Sequence, residues 1–344
     1  MRVVVVGATG NVGTSLLRAV ADDGDVDSIL GLARRLPETA FPKTDFAAAD
    51  IARDELVPHL RGADAVVHLA WVIQPSHDRD TLWRINVDGS RRVFRAVAEA
   101  GVPVLVYASS VGAYSPGPKD RYVDESWPTD GIETSSYARH KAEVERWLDR
   151  FEREHPQVRV VRLRPGLIFK RESAAEQRRL FAGPLFPTMV ARKPIPFVPD
   201  IPGLRFQAVH SYDVGEAYRL AVKNDVHGAF NVAAEPVLDP PTLARLLGAR
   251  TVAVPKQVVR AAVQLTWWLH LQPSDVGWVD MGLSAPLLDT TRARTELGWQ
   301  AQRGADDAML DLLEGLREDA GMATPPLRRR SRAQELGGGV GRGE

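Results

Sequence analysis

Tyr137 and Lys141 stand four residues apart, a spacing that places a phenol and an ammonium on one face of a helix. A phenol has a reference pKa of about 10 and exchanges protons poorly at neutral pH. A neighbouring ammonium favours the phenolate and is expected to lower the pKa of Tyr137. The pair is therefore predicted to move a proton to or from a substrate oxygen, unless it is a chance pair on a solvated helix.

A glycine-rich turn close to the N-terminus predicts a binding site for the pyrophosphate of a dinucleotide. Its glycines stand at positions 7, 10 and 13. This spacing allows a tight turn and close approach of backbone N–H groups to the phosphates, with a helix N-terminus directed at their charge. The turn lies at the first strand–helix junction, where such a motif is most specific. The residues predicted to contact the dinucleotide here are Gly7, Thr9, Gly10, Asn11, Val12 and Gly13.

The end of the second predicted strand distinguishes NAD from NADP. An acidic residue about 20 positions after the glycines would bind the ribose 2′-hydroxyl of NAD. This chain has Arg34 and Arg35 there. Two guanidiniums could bind a 2′-phosphate, so NADP is expected ahead of NAD, unless both are ordinary surface arginines. Asp50, followed by Ile51, could accept a hydrogen bond from the adenine amino group or be an exposed turn residue.

Composition excludes several classes of function. The 344 residues contain 44 Lys+Arg and 44 Asp+Glu, so no net charge attracts nucleic acid or an anionic membrane. Cysteine is absent, which excludes thiol nucleophiles and fits a reducing cytoplasm. The N-terminus is too short for a signal-peptide core before the glycine turn, and the longest apolar stretch, 258–271, is interrupted by polar residues. We therefore expect a cytoplasmic protein with a small-molecule substrate and no nucleic-acid or membrane partner.

Apolar runs alternate with helical patterns along the chain. Strands are predicted at 3–6, 28–33, 45–50, 63–70, 102–108 and 158–163, and helices at 11–21, 82–100 and 136–155. Such alternation predicts an α/β fold with a doubly wound parallel sheet of Rossmann type, in which ligands bind beyond the carboxyl ends of the strands.

The composition also suggests how the chain is divided into domains. Residues 1–165 are predicted to form the dinucleotide-binding domain, and 207–235 to return to it. Residues 166–206 and 236–327, rich in Pro, Phe and Trp, are predicted to form a smaller, irregular substrate-binding lobe. The tail, 328–344, lacks an apolar period and is expected to be disordered.

Together these motifs resemble the extended short-chain dehydrogenase/reductase family, often labelled NAD-dependent epimerase/dehydratase. The resemblance spans roughly residues 1–315 and rests on a series of ordered matches. They are Gly7/Gly10/Gly13, His68-Leu69-Ala70, Asn86-Val87-Asp88-Gly89, Tyr107-Ala108-Ser109-Ser110, Tyr137 with Lys141, Arg164-Pro165-Gly166, residues 209–214 and Leu297-Gly298-Trp299.

The resemblance implies a role for individual residues. Tyr137 would be the proton donor or acceptor, Lys141 would hold the nicotinamide ribose and lower the tyrosine pKa, and Ser110 would hydrogen-bond the substrate oxygen. Ser109 is the alternative if the register slips by one. Asn86 would support the active site, Pro165 and Gly166 would contact the nicotinamide carboxamide, and Leu69 and Ala70 would belong to the cofactor site.

Departures from the family pattern narrow the expected function. Val111 and Gly112 follow Ser110 where dehydratases carry Asp-Glu, so dehydration is not expected. Nucleotide-sugar members clamp the diphosphate with arginines, but this chain has Phe206 at the first position, with Arg205 one residue away, and no arginine in 280–286. A buried diphosphate needs such charge-assisted bonds. The expected substrate is therefore apolar and not a nucleotide, although the aromatic residues of the lobe could equally serve its own packing.

The histidines are not expected to act in catalysis. His210 lies in an apolar stretch and is predicted to satisfy backbone groups, and His140 is predicted to lie on solvated helix surface. No histidine stands in a metal-ligand pattern with carboxylates, so no metal is expected.

The leading hypothesis is an NADP-preferring dehydrogenase or reductase acting on a carbonyl/alcohol pair. One alternative is a sugar epimerase with a retained NAD, and another is a non-catalytic NADP-binding sensor. A homodimer through the helices at 82–100 and 136–155 is plausible by resemblance.

Overall fold

The structure, a computed structural model, describes residues 1–73, 78–179, 195–269 and 274–329. A seven-stranded parallel sheet forms its centre, in the order β11-β7-β5-β4-β1-β2-β3. Its strands are β1 (Arg2–Val6), β2 (Ser28–Ala33), β3 (Thr44–Ala48), β4 (Ala65–His68), β5 (Val104–Ala108), β7 (Arg159–Pro165) and β11 (Gly228–Val232). The doubly wound α/β sheet predicted from the sequence is confirmed.

Both faces of the sheet are covered by helices. The α-helices are α1 (Asn11–Val20), α2 (Val57–Leu60), α3 (Arg79–Trp83), α4 (Gly89–Glu99), α5 (Ser136–Glu154), α6 (Ala174–Gln177), α7 (Ser211–Lys223), α8 (Pro240–Leu247), α9 (Lys256–Trp268), α10 (Val276–Ser284), α11 (Thr291–Thr295) and α12 (Ala305–Glu318). Among the described helices none is long and apolar enough to cross a membrane.

The alternation of side chains along β1 divides the core into two layers. Val3 and Val5 pack with residues of α1 and α7 on one face, whereas Val4 and Val6 pack with residues of α4 and α5 on the other. All four valines are at most 3% exposed. A strand buried on both faces reads as a continuous apolar run, which is why the first strand could be predicted from four consecutive valines.

Three short two-stranded parallel pairings lie outside the main sheet. They are β8 (Leu167–Phe169) with β10 (Ala208–His210), β9 (Phe197–Asp200) with β12 (Arg250–Ala253), and β6 (Tyr122–Val123) with β13 (Leu287–Leu288). Each joins segments distant in the sequence. The pairings of β9 with β12 and of β6 with β13 connect earlier parts of the chain to its C-terminal third.

The helix predicted at 82–100 is not regular. It begins earlier, at Arg79, and contains a π-helical turn, Arg84–Asp88, between α3 and α4. A π turn inserts a residue into the helical repeat and often lies at a functional site. The apolar periodicity of this segment did not predict it.

The predicted tail lies mostly beyond the described part of the chain. Its residues 330–344 lie outside the described residues, as do residues 180–194 of the predicted substrate-binding lobe. Arg328, at the start of the tail, forms an ion pair with Glu38 at 2.7 Å.

Candidate functional site

The glycine turn joins β1 to α1, and backbone contacts explain two of its three glycines. Gly7 has φ of +92°, and a Cβ there would lie 2.6 Å from the backbone nitrogen of Ala70. A Cβ on Gly13 would lie 2.5 Å from the carbonyl oxygens of both Gly7 and Ala8. A Cβ on Gly10 would lie 3.7 Å from its nearest neighbour, the carbonyl oxygen of Gly7. The backbone surface at this position is therefore open. The turn therefore exposes a side-chain-free surface at the N-terminus of α1.

The other predicted cofactor contacts also lie at the carboxyl edge of the sheet. Arg34 and Arg35 follow β2 and are exposed, Asp50 and Ile51 follow β3, Leu69 and Ala70 follow β4, and Pro165 and Gly166 lie at the end of β7. Thr9, Asn11 and Val12 belong to the glycine turn and the first turn of α1. Parallel strands place their carboxyl ends on one edge, and this edge is where such sheets bind ligands.

Asp50 and Asn86 make local hydrogen bonds. An oxygen of Asp50 accepts from the backbone N–H of Ala52 at 2.9 Å. Asn86, in the π-helical turn, accepts from the N–H of Val72 at 2.8 Å and donates to its carbonyl at 3.0 Å. The Asn86 amide thus fixes the segment that follows β4, beside the predicted catalytic residues.

Ser110, Tyr137 and Lys141 lie together at this edge. Ser110 follows β5, and the other two lie in the first turns of α5, whose N-terminus is capped by Ser135 through the N–H of Ala138. The hydroxyl of Ser110 lies close enough to Tyr137 to lower the pKa of the phenol. Nζ of Lys141 donates to the carbonyl oxygen of Ala108, at the end of β5, at 2.6 Å.

The two adjacent serines have different partners. Ser109 Oγ donates to Oε1 of the buried Glu145 at 2.5 Å, away from Tyr137. Ser110 Oγ accepts from the N–H of Gly112 at 3.0 Å and lies beside Tyr137. Of the two serines left open by the sequence, the geometry favours Ser110 as the one that can reach a substrate oxygen.

Burial changes the acid–base properties of Tyr137 and Lys141. It raises the pKa of Tyr137 to about 12, and the Ser110 hydrogen bond opposes this with a smaller effect. Burial also lowers the pKa of Lys141 well below its usual value. The expectation that the ammonium lowers the tyrosine pKa is wrong for this structure, because desolvation dominates both groups.

Aromatic rings surround this pair. The ring centre of Trp71 lies 3.5 Å from Nζ of Lys141, a cation–π contact. The rings of Trp71 and Trp278 lie 6.0 and 5.1 Å from that of Tyr137. A small open cleft beside Tyr137 is lined by Val72, Ile73, Leu82, Asn86, Ser136, Tyr137, His140 and Trp278. No side chain in that lining carries a fixed charge.

His140 was expected on the solvated surface of α5, and that prediction is wrong. It is 5% exposed, and its ring meets that of Trp83 edge to face at 5.3 Å. Burial lowers its pKa to about 4, so the ring is neutral at physiological pH. The periodicity contained the signal, since His140 stands three residues after Tyr137 and four before the buried Val144.

His210 has the structural role expected of it. Its Nδ1 accepts from the backbone N–H of Tyr212 at 3.1 Å, and its Nε2 lies 3.0 Å from a carboxylate oxygen of Asp311. No cluster of three or more metal-ligating side chains occurs within the described ranges.

A buried ion-pair network beneath the site was not predicted. Glu145 is 1% exposed and accepts hydrogen bonds from Arg164, at 2.9 and 3.0 Å, and from Arg162 at 2.8 Å. Arg164 also donates to the hydroxyl of Tyr114 at 3.1 Å. Because Glu145 holds Ser109 as well, the network fixes the β5 end next to Ser110.

Comparisons with known proteins agree with this architecture. The model of the NAD dependent epimerase/dehydratase family matches residues 3–233. An uncharacterised protein of Mycobacterium tuberculosis is 29% identical over 325 residues, which cover 94% of this chain and 31% of that protein. This chain therefore spans about a third of the length of that relative.

Two further proteins are similar over nearly their whole length. The UDP-glucose 4-epimerase of Neisseria meningitidis is 27% identical over 346 residues, covering 90% of this chain and 95% of that one. The structure of a UDP-glucose 4-epimerase from Stenotrophomonas maltophila, with bound NAD and formylated UDP-arabinopyranose, has a TM-score of 0.70. It is 20% identical and covers 93% of this chain and 98% of that one, so it shares the fold. With two thirds of its length matched by the family model, the chain belongs to the NAD-dependent epimerase/dehydratase family.

Proposed function

We propose that this chain is an NAD(P)-dependent oxidoreductase acting on the carbonyl/alcohol pair of a small, apolar substrate. The observation that carries the proposal is the juxtaposition of Ser110, Tyr137 and Lys141 beside an uncharged cleft, at the same sheet edge as the glycine turn. Packing alone does not require a phenol, a hydroxyl and an amine to meet at a ligand-binding edge.

The glycine turn suits a dinucleotide. A Cβ at Gly7 or Gly13 would collide with backbone, and the surface at Gly10 is open at the N-terminus of α1. Backbone N–H groups and the helix dipole then favour the negative charge of a pyrophosphate. When bound, the nicotinamide supplies or accepts the hydride.

The roles of the three central residues follow from their protonation. With its pKa raised to about 12, Tyr137 keeps its proton at neutral pH and can donate it to a carbonyl oxygen. Ser110 orients the same oxygen through a second hydrogen bond. Lys141 would hold the ribose of the nicotinamide. A protonated phenol is the form that reduction of a carbonyl requires.

The lining of the cleft and the state of the nearby arginines support an apolar substrate. Nη1 of Arg205 donates to the backbone carbonyl of Lys119 at 2.5 Å, so this part of the guanidinium is bonded within the protein. Asp280 is ion-paired with Arg260. The cleft itself offers tryptophan, leucine and valine and a neutral histidine, which suit an apolar molecule better than a diphosphate.

NADP is the proposed preference. Arg34 and Arg35 are exposed directly after β2, where they can reach a 2′-phosphate. The double variant Arg34→Ala/Arg35→Ala should weaken NADPH binding at least tenfold and leave NADH binding unchanged, by loss of about 1.4 kcal/mol or more. Arg95→Ala, an exposed arginine on α4, is the matched control. Equal effects on both cofactors would remove the basis for the preference.

The central test is purification without added nucleotide, followed by denaturation and mass analysis of any released dinucleotide. A protein that is empty and binds NADPH should then oxidise it in the presence of apolar aldehydes or ketones, measured by absorbance. Tyr137→Phe should abolish turnover while NADPH still binds, whereas the half-exposed Tyr122→Phe should leave turnover intact. Full turnover by Tyr137→Phe would contradict the proposal and favour the sensor hypothesis.

A sugar epimerase with retained NAD is the second candidate, because similarity to the Neisseria UDP-glucose 4-epimerase extends over 95% of that protein. The same three residues would serve it. Stoichiometric NAD in the purified protein, with interconversion of UDP-glucose and UDP-galactose, would establish this candidate in place of the reductase.

A further inference from the structure

Lys170 is a buried lysine whose side chain is hydrogen-bonded to α1, the helix that follows the glycine turn. It follows β8 and is 1% exposed. Its Nζ donates to the carbonyl oxygen of Asn11 at 2.8 Å and to the hydroxyls of Thr14 and Ser15 at 2.7 and 3.0 Å. All three acceptors belong to the first turns of α1, so the three ammonium hydrogens are used at one helix N-terminus.

When no ligand is bound, the burial of Lys170 at this position costs free energy. The three acceptors are neutral, and no described carboxylate forms an ion pair with Lys170. The first turn of α1 has no acidic residue either. A cation at a helix N-terminus opposes the helix dipole, and the carboxylates of Glu172 and Glu176, which favour the ammonium, do not offset the cost of its burial. The hydrogen bonds to α1 therefore hold a charge that the protein alone compensates only in part.

An anion bound at the N-terminus of α1 would compensate the charge of Lys170 and offset the cost of its burial. We propose that Lys170 is a cofactor-affinity residue, whose charge at the N-terminus of α1 is compensated when the pyrophosphate of the dinucleotide binds at the glycine turn. The inference rests on the proposed dinucleotide site and adds a residue that the glycine motif does not contain. Lys170 acts through α1, because its ammonium is bonded to the helix and not to the surface that faces the ligand.

The charges around Lys170 set the pH at which this interaction is lost. Burial lowers the pKa of Lys170 to about 8, Glu172 and Glu176 raise it, and Arg18 lowers it. The ring of Tyr212, from α7, lies 5.6 Å from Nζ. A bound pyrophosphate raises the pKa, so binding takes up protons near pH 8. The affinity is complete below pH 8 and falls as pH rises through the pKa of the complex.

The test compares Lys170→Met with Lys119→Met. Lys119 is a matched control because burial lowers its pKa to about 8 as well, while its Nζ donates to the carbonyls of Arg205 and Gly282, outside the glycine turn. Dissociation constants for NADPH are measured by calorimetry on the nucleotide-free protein, at pH 7 and pH 9. Urea unfolding of the same samples gives the stability.

Lys170→Met should raise the dissociation constant about tenfold at pH 7, equivalent to ~1.4 kcal/mol, without lowering the unfolding free energy. It should also flatten the pH dependence between pH 7 and 9, and Lys119→Met should do neither. Unchanged affinity, or weaker binding matched by an equal loss of stability with the pH dependence retained, would overturn the inference in favour of a purely structural clasp. A wild-type protein that binds no dinucleotide would instead overturn the proposed function.

If Lys170→Met does not fold, proton uptake decides. Calorimetry at pH 8 in two buffers of different ionisation enthalpy gives the protons taken up when the cofactor binds. Lys141→Met removes the other buried lysine at the site. Uptake that persists in this variant supports Lys170, and uptake that disappears with it assigns the titration to Lys141 and refutes the inference.

Discussion

Replacement of Glu145 by Gln tests the buried network most directly. Glutamine keeps the size of the side chain but removes the charge that Arg162 and Arg164 share. Arg162 retains Asp149 and Glu152, whereas Arg164 keeps only a hydroxyl and a backbone carbonyl. Removal of one partner from a buried ion pair costs about 3–5 kcal/mol, because the remaining charge is uncompensated.

The pKa of Glu145 gives a second estimate of the free energy that is lost when its charge is removed. Burial raises this pKa, but the two arginines and the Ser109 hydroxyl lower it by a larger amount. The net result is a pKa lowered from 4.5 to about 2. At 1.36 kcal/mol per pKa unit this corresponds to roughly 3 kcal/mol. Because the folded-state pKa is depressed, this stability is fully present above pH 4.5 and is lost as pH falls through about 2.

The assay is urea unfolding at pH 7, monitored by tryptophan fluorescence and far-ultraviolet circular dichroism. Glu145→Gln should lose about 3 kcal/mol or more. Glu143→Gln, on the same helix and paired with Arg91 and Arg146 nearer the surface, should lose less than about 1 kcal/mol. A loss below about 1 kcal/mol for Glu145→Gln, or equal losses for the two variants, would refute the reasoning. Between pH 4.5 and 2 the wild type should also lose more stability than Glu145→Gln does.

Three further variants test the glycine turn and a buried carboxylate. Gly13→Ala should lower the unfolding free energy by about 1–3 kcal/mol, since its Cβ would lie 2.5 Å from two carbonyl oxygens. Gly10→Ala has 3.7 Å of clearance and should fold within about 0.5 kcal/mol of the wild type, yet bind NADPH more weakly in a calorimetric titration. Asp213→Asn removes the carboxylate that accepts from the N–H groups of residues 302 and 303 and from the Arg303 side chain. It should cost about 1–3 kcal/mol in urea unfolding, against less than about 1 kcal/mol for the exposed Glu216→Gln on the same helix.

The sheet could be predicted because the apolar sequences of its strands indicate that they are buried. β1 and β5 are continuous apolar runs, and the glycine turn and the Tyr137/Lys141 pair stand directly after strands or at the start of a helix. Local spacing is sufficient for such features. Helix α3 begins at Arg79 because Asp78 caps it through the N–H of Thr81, and the π-helical turn after it carries Asn86, which bonds the segment following β4. The apolar periodicity encodes neither contact.

The buried charges could not be predicted in the same way. Arg162 and Arg164 alternate with apolar residues in β7, a pattern that ordinarily places charged side chains in solvent. Both are 5% exposed because α5 brings Glu145 against them. The partner lies 17 or more residues away, so the pairing is a property of the fold and not of the strand. The same applies to Lys170, whose partners on α1 are more than 150 residues distant.

Helix α5 carries Tyr137, Lys141 and Glu145 at intervals of four residues, on one continuous stripe. Insertion of a single residue between the first and the last would turn the remainder of the helix by about 100°. Glu145 would then move away from Arg162 and Arg164, while Tyr137 kept its position. Length variation and engineered insertions should therefore be excluded from this helix, although its outer face should accept substitutions. Changes of substrate range are better sought at Val72, Ile73 and Trp278, which line the cleft without belonging to the stripe.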